Sequence, residues 1–443
     1  MASQSELMHF YPGARAARYP AVRHWDQSGF ARLQWESDLA GQVNGEQAVV
    51  SLYIHLPFCE SMCTFCACHK RITTDHNVEN PYIRAILAEW KMYCQLFGNK
   101  PVIKELHLGG GTPTFFSPGH LQDLVNGIFC LATVAPQARL SFEGHPNTTS
   151  KAHLAALANL GFRYVSFGVQ DYSQKIQKAI NRFQPLCNVA RVSLWAKELG
   201  YEVISHDIVF GLPFQNQEDI VDTIEKTLSI RPDRIAFHAY SHQPWEKGTL
   251  YRGFADHDVP AEDYKVQLFT TGRDILLSQG YREAGMEHFE LCNDGIEIAP
   301  KARHVPGMIS QPLIGLGVSA IGHSGGAYVR NAANLEDYHQ LVEWGQLPVA
   351  GGHHLTQEDL AARQHIVDLM TGFRTRLIDN GILPIRQILA DLVHCQNHGW
   401  IKLEEMVIQV TDNGKPFIRN TCAAFDLRRN REHPRNPLFS TAV

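Results

Sequence analysis

The chain has 443 residues, 44% of them apolar, and a net charge of -5, enough for a full catalytic core plus a second unit of about a hundred residues. Mild acidity without a Lys/Arg block in the body of the chain argues against nucleic acid as a main partner. The first seven residues have neither a basic nor an apolar region, and no run of eighteen uncharged apolar residues occurs, so export and membrane spanning are disfavoured and a cytoplasmic enzyme is expected.

In chain order, residues 1–45 are rich in Gly, Pro, Arg and aromatics but keep no sustained period, which predicts an N-terminal arm lying on the main domain. Strand and helix patterns then alternate over residues 46–350, with candidate strands at 49–55, 103–108, 139–143, 164–168, 203–210 and 234–240. Six parallel βα units predict an α/β fold, an open or partial (β/α)6 barrel with functional groups at the C-terminal strand ends. From residue 351 to 443 the alternation stops. A helix opens at Thr356 with Asp359 near a capping-box position, a second apolar-periodic segment covers 384–394, and two short strands are expected around the turn at 412–414. This C-terminal, mainly helical, winged-helix-like unit reads as a lid over the barrel mouth, since the charge gives no nucleic-acid footprint. The basic run after residue 427 reads as a solvated terminus.

The chemistry concentrates just after the first strand. Residues 53–70 read YIHLPFCESMCTFCACHK, with Cys59, Cys63 and Cys66 in a C-x3-C-x2-C array and Cys68 two residues on. Three thiolates in so short a loop can hold three irons of a four-iron cubane and leave the fourth open to a small molecule. A structural zinc site would want a second Cys or His pair downstream at knuckle spacing, and none follows. The other cysteines, Cys94, Cys130, Cys187, Cys292, Cys395 and Cys422, stand singly and read as buried thiols. After the second strand comes GGGTPT (109–114), whose glycines let backbone amides approach a ligand closely. Glu143 and Gln170 end the third and fourth strands, Arg182 follows on a helix, Asp207 lies in the fifth strand, and Tyr240 and Ser241 follow the sixth.

The cysteine stretch resembles the cluster loop of radical S-adenosylmethionine (SAM) enzymes, and Y-x-H-x-P-F-C-x3-C-x2-C-x-C is similar to the oxygen-independent coproporphyrinogen III oxidase (dehydrogenase) family. That resemblance runs in order from residue 13 to 426. It implies a 4Fe-4S cluster on Cys59, Cys63 and Cys66, with Cys68 as an extra, catalytic cysteine. It further implies SAM, two per active site, at positions matching Tyr53, Phe65, Gly110, Gly111, Thr112, Glu143, Gln170, Arg182, Asp207, Ser241 and Ile321. The implied reaction is oxidative decarboxylation of two propionates of coproporphyrinogen III to vinyl groups in anaerobic haem biosynthesis. A monomer is expected, receiving electrons from a small protein such as flavodoxin or ferredoxin, with neither nucleic acid nor membrane as partner.

Some positions depart from the family. The arm segment GARAARYP (13–20) matches its pattern only in part, GMEHF carries Glu287 where the family has Asp, and RHVPGMIS (303–310) lacks the aromatic and hydroxyl residues of the substrate side. These departures leave two alternatives: a related enzyme that opens haem, or a haem-binding chaperone without decarboxylase activity. His288 is a candidate substrate contact, and Arg15, Arg18, Arg182 and Arg303 are candidates for the substrate carboxylates.

Overall fold

The computed structural model describes residues 19–26, 28–41, 47–66, 68–240, 254–292 and 311–432. Six central strands, β1 (Val49–Leu56), β2 (Val102–Gly110), β3 (Thr133–Gly144), β4 (Tyr164–Gln170), β5 (Val203–Phe210) and β6 (Arg234–Ala239), pair in parallel in chain order. β7 (Tyr281–Glu283) and β8 (His288–Leu291) extend the sheet antiparallel beyond β6. On the other side β9 (Leu313–Leu316) joins β1 in parallel, followed by antiparallel β10 (Ile321–His323), β11 (Ala327–Asn331) and β12 (Val349–His354). The order β12-β11-β10-β9-β1-β2-β3-β4-β5-β6-β8-β7 ends on two free edges, so the barrel is partial.

Strands adjacent both in chain and in space, joined by right-handed crossovers, put their helices on one face. Accordingly α2 (Glu79–Phe97), α3 (Pro118–Cys130), α4 (Lys151–Asn159), α6 (Leu186–Glu198), α7 (Gln217–Ile230) and α8 (Glu262–Ser278) each pack on the next, with the short α5 (Gln174–Ala179) between α4 and α6 in the chain, and α9 (Leu335–Glu343) packs on α2. The side chains under them, such as Leu52, Leu106, Phe142 and Phe167, form the main core. Parallel strands covered on both faces are usually apolar throughout. Here the opposite residues are polar, among them Tyr53, His55, His107, Ser141, Glu143, Ser166, Asp207 and His238. A period of two in a parallel strand means that the inner face lines a polar space rather than a second core.

Residues 19–41 bridge two cores. Tyr19 belongs to the C-terminal core, Trp25 stacks on Tyr328 at 5.7 Å, and Trp35 and Leu39 of α1 (Arg32–Gly41) enter the barrel core. The C-terminal unit packs α10 (Gln357–Gly372), α11 (Ile385–Asn397), α12 (Ile418–Ala423) and α13 (Leu427–Glu432) around β13 (Arg374–Arg376), β14 (Ile401–Glu404) and β15 (Val407–Val410). Thr356 and Asp359 form a complete capping box at the start of α10.

Five sequence expectations change. The basic run after 427 is not a solvated terminus up to residue 432: it forms α13, where Arg428 bonds to the buried Asp359 and Arg429 is itself buried. The third strand begins six residues before 139, at Thr133, and a boundary at 350 would cut β12, which pairs with β11 up to His354. The hairpin turns at Glu405 and Met406, both left-handed (φ 47° and 63°), not at 412–414. Such a turn is usually announced by Asn-Gly, so Glu-Met gives no signal. Gly414 is required instead by packing, because a Cβ there would lie 1.9 Å from the Trp400 carbonyl oxygen. Cys395 and Cys422 are buried as expected, but Cys130, Cys187 and Cys292 are exposed; an isolated residue carries no periodicity from which to read its face. No helix among the described residues is long and apolar enough to cross a membrane.

Candidate active site

The cysteine loop leaves β1 and is pinned at both ends by the parallel pairing of Phe58–Cys59 with Arg71–Ile72. Its middle is wired to the end of α5. Thr64 donates through its N to Ile180 O at 3.0 Å and through Oγ1 to Ala179 O at 3.1 Å, and Asn181 Nδ2 donates to Met62 O at 2.8 Å. Phe65 packs on the apolar group of Ile176, Ile180, Val209, Leu212 and Tyr240. Lys70 Nζ caps the loop from below by donating to Cys66 O at 2.8 Å.

These contacts hold the thiols in a defined field. Cys59 Sγ lies 3.3 Å from Thr112 Oγ1, and Arg182 Nη1 points at Cys63 Sγ from 3.7 Å. A hydrogen bond from Cys68 lowers the Cys66 thiol to about 6, helped by the charges of Lys70 and Arg182 against the cost of burial. The same bond pushes Cys68 well above the ordinary thiol range, whereas burial raises Cys59. No three or more His, Cys, Asp or Glu side chains among the described residues converge on a single ion. Thiols spaced along one loop beside two cations fit a polynuclear cluster, with one thiolate per iron and its negative charge partly compensated.

The glycine-rich turn lies directly under this loop. Gly110 has φ 116°, and a Cβ there would meet His55 Nδ1 at 2.7 Å; at Gly111 it would meet Pro57 O at 2.5 Å. Gly111 N donates to Leu56 O at 2.8 Å and Thr112 N to Phe58 O at 3.0 Å. The glycines therefore let the end of β2 press against the strand that carries the cysteines.

Around the mouth, Tyr53 Oη and His55 Nδ1 share a 3.1 Å hydrogen bond, and Tyr53 stacks on His107. His107 Nε2 donates to Glu143 Oε1 at 3.3 Å, and Ser166 Oγ donates to Asp207 Oδ1 at 2.7 Å. Burial raises the Asp207 carboxyl, with His238 opposing the shift and Glu143 adding to it. Arg182 Nη2 donates to Gly168 O at 2.7 Å. Gln170 is buried and left-handed, with φ 68°.

The structure thus gathers the cysteines, Thr112, Arg182, Glu143 and Asp207 at one end of the barrel. Charge couples them: Glu143 raises both Cys68 and Asp207, and Arg182 lowers both Cys66 and Asp207. Ile321 stands apart on β10, across β9 from β1. Ser241, Arg15, Arg18, Arg303 and the 303–310 segment lie outside the described residues. Sequence reasoning missed His55, His107, His145 and His238; the last two sit beyond Glu143 and on β6, and burial together with Arg182 lowers His145 to about 3. Polar residues at alternate strand positions were the signal that could have found three of them.

Comparison with known proteins agrees with this arrangement. Residues 53–227 match the model of the Radical SAM superfamily. Oxygen-independent coproporphyrinogen III oxidase of Pseudomonas aeruginosa is 31% identical over 393 residues, covering 85% of each chain, and that of Helicobacter pylori (strain 26695) is 30% identical over 95% of this chain and 96% of its own. The crystal structure of Escherichia coli coproporphyrinogen III oxidase, described as a radical SAM enzyme, superposes with TM-score 0.83 at 28% identity over 93% of this chain and 96% of that one. On this similarity across nearly its whole length, together with a three-cysteine loop at the mouth of a partial barrel, the chain belongs to the oxygen-independent coproporphyrinogen III oxidase family of radical SAM enzymes.

Proposed function

We propose that the chain converts coproporphyrinogen III to protoporphyrinogen IX, turning two propionates into vinyl groups. Each propionate gives up one hydrogen atom, one carbon dioxide and one electron. The observation that carries this reading is the C-x3-C-x2-C loop facing Arg182, Glu143 and Asp207 across a polar barrel mouth, in a chain that spans 85% or more of relatives named for this reaction. When bound, the 4Fe-4S cluster supplies the electron that splits SAM into methionine and a 5'-deoxyadenosyl radical.

In this reading Cys59, Cys63 and Cys66 would hold the cluster, and Cys68, hydrogen-bonded to Cys66, would be a catalytic group. Gly110, Gly111 and Thr112 would lie against the amino acid end of SAM, Glu143, Gln170, Arg182 and Asp207 would bind its polar groups, and Tyr53, Phe65, Ser241 and Ile321 would complete the site. Two SAM molecules would serve the two propionates. The C-terminal unit and the arm keep water from the radical. A monomer in the cytoplasm, reduced by a flavodoxin- or ferredoxin-like protein and independent of membrane, completes the reading, and the mild negative charge argues against nucleic acid as a partner.

The test is an anaerobic assay of iron-reconstituted protein with SAM, dithionite and coproporphyrinogen III, followed by mass spectrometry. Loss of two carboxyl groups supports the reading. Deoxyadenosine without decarboxylation overturns the substrate while keeping the radical chemistry, and haem is then the compound to try. Replacing Cys59, Cys63 or Cys66 by Ala abolishes SAM cleavage; retained cleavage in a reconstituted variant removes that thiol from the cluster.

A further inference from the structure

His238 is on the inner face of β6, in register with Val209, and Val209 belongs to the apolar group that seats Phe65 of the cysteine loop. Its neighbours two residues toward the barrel floor are Ala236 and, across the strand pair, Asp207. The side chain keeps 35% of its surface and lies on the same strand face as Asp207.

One face of the imidazole is committed. Nδ1 donates to Glu287 Oε2 at 3.2 Å, and the other carboxylate oxygen of Glu287 accepts from Arg419 Nη2 of α12 in the C-terminal unit. Both Glu287 and Arg419 are buried. Glu287 sits in a left-handed conformation, φ 61°, directly before β8, and its carbonyl accepts from Phe237 N at 2.8 Å, which locks the carboxylate beside β6. His288 meets the His238 ring edge-to-face at 5.7 Å and is held neutral by burial, lowered to about 3. Nε2 of His238 has no hydrogen-bond partner among the described residues.

A histidine oriented through Nδ1 by a fixed carboxylate offers Nε2–H as a donor only when the ring is an imidazolium. The groups facing it are Glu287 and Asp207, which favour that charge, and Arg419 and neutral His288, which do not. Against burial, the hydrogen bond to Glu287 raises His238 above the ordinary histidine range.

We propose that His238 receives a carboxylate of the tetrapyrrole substrate at the barrel mouth, with Glu287, braced by Arg419, as the positioning residue that aims it. The inference rests on the tetrapyrrole reading above and deepens it, since a substrate with four propionates needs cationic receptors near the SAM site.

The test uses reconstituted holoenzyme with SAM, comparing His238→Leu, His238→Gln and Glu287→Gln by fluorescence titration with coproporphyrin III and by turnover of coproporphyrinogen III across pH. Thermal melting and deoxyadenosine formation without substrate report the fold and the cluster. His238→Leu and His238→Gln should weaken coproporphyrin binding and raise KM by about tenfold, the scale of a charge-assisted hydrogen bond, with a smaller effect on kcat. In the wild type kcat/KM should fall as pH rises through the raised His238 pKa, and Glu287→Gln should move that fall to lower pH. If folded His238 variants bind and turn over within twofold of wild type, with an unmoved pH profile, the proposal is wrong and the decarboxylase reading stands. If the wild type binds coproporphyrin through His238 without decarboxylating it, the decarboxylase reading fails and the receptor stands. A wild type that neither binds nor turns over sinks both.

Discussion

Arg182 shows how single residues set the site. Its two terminal nitrogens do different work: Nη2 is anchored on Gly168 O and Nη1 faces Cys63 Sγ. Gly168 permits this because a Cβ there would lie 2.8 Å from Arg182 Nη2 and 2.8 Å from Gln170 Nε2. The glycine is therefore a spacer for the guanidinium. Lysine could supply charge at this position but not the planar fork that bonds to both targets. Gly168→Ala and Arg182→Lys should each slow 5'-deoxyadenosine formation by about tenfold, the cost of one charge-assisted hydrogen bond. Iron and sulfide content measured on the same samples should stay near wild type. An unchanged rate in Gly168→Ala would show that the guanidinium need not sit where it does.

At the scale of elements, Asp359 ties the start of α10 to α13. It accepts from Arg428 Nε and Nη2, both at 2.7 Å, closes the capping box with Thr356, and has no exposed surface. Against burial, these partners hold its carboxyl far below the usual range. A depressed folded pKa contributes stability that is present above the unfolded value of about 3.9 and is lost as pH falls toward the folded one. Asp359→Asn should destabilise the C-terminal unit by about 3 kcal/mol at pH 7, because Arg428 loses its charge partner. The gap between wild type and variant in denaturant melts should close as pH drops below about 5; a constant gap would mean that the charge contributes nothing. The capping box was legible in the sequence because Thr356 and Asp359 are three residues apart, but Arg428 is 69 residues away and no local pattern announces it. The same division runs through the site. The cysteine loop was readable, since its short spacing encodes it locally, whereas the strand-end groups were singled out through resemblance. The His238–Glu287–Arg419 chain was not, since it joins β6, the residue before β8 and α12 through tertiary packing alone.

Across the whole molecule, the C-terminal unit is seated on the β7–β8 edge of the barrel sheet. Glu283 of β7 accepts from Arg273 of α8 at 2.9 and 3.0 Å and from Lys415 at 2.7 Å, with only 8% of its side chain exposed. Lys415 also pairs with Asp412 at 2.9 Å, Met286 N donates to Met370 O at 2.8 Å, and Tyr19 enters the C-terminal core from the arm. The unit has its own core around Ile366, Leu369, Ile388 and Phe425, but a core of fewer than a hundred residues is only marginally stable by itself. Its order therefore depends on the seat, and so does the position of Arg419 behind Glu287. Glu283→Ala would leave Lys415 and Arg273 half-buried without their shared carboxylate, which costs more than the loss of one surface pair. The wild-type protein should melt in one transition. Glu283→Ala should split it, with the C-terminal unit melting first, and limited proteolysis should then cut between β12 and α10 while the barrel survives. A single transition, merely shifted, would mean that Tyr19 and the apolar contacts hold the two units together without the ion network.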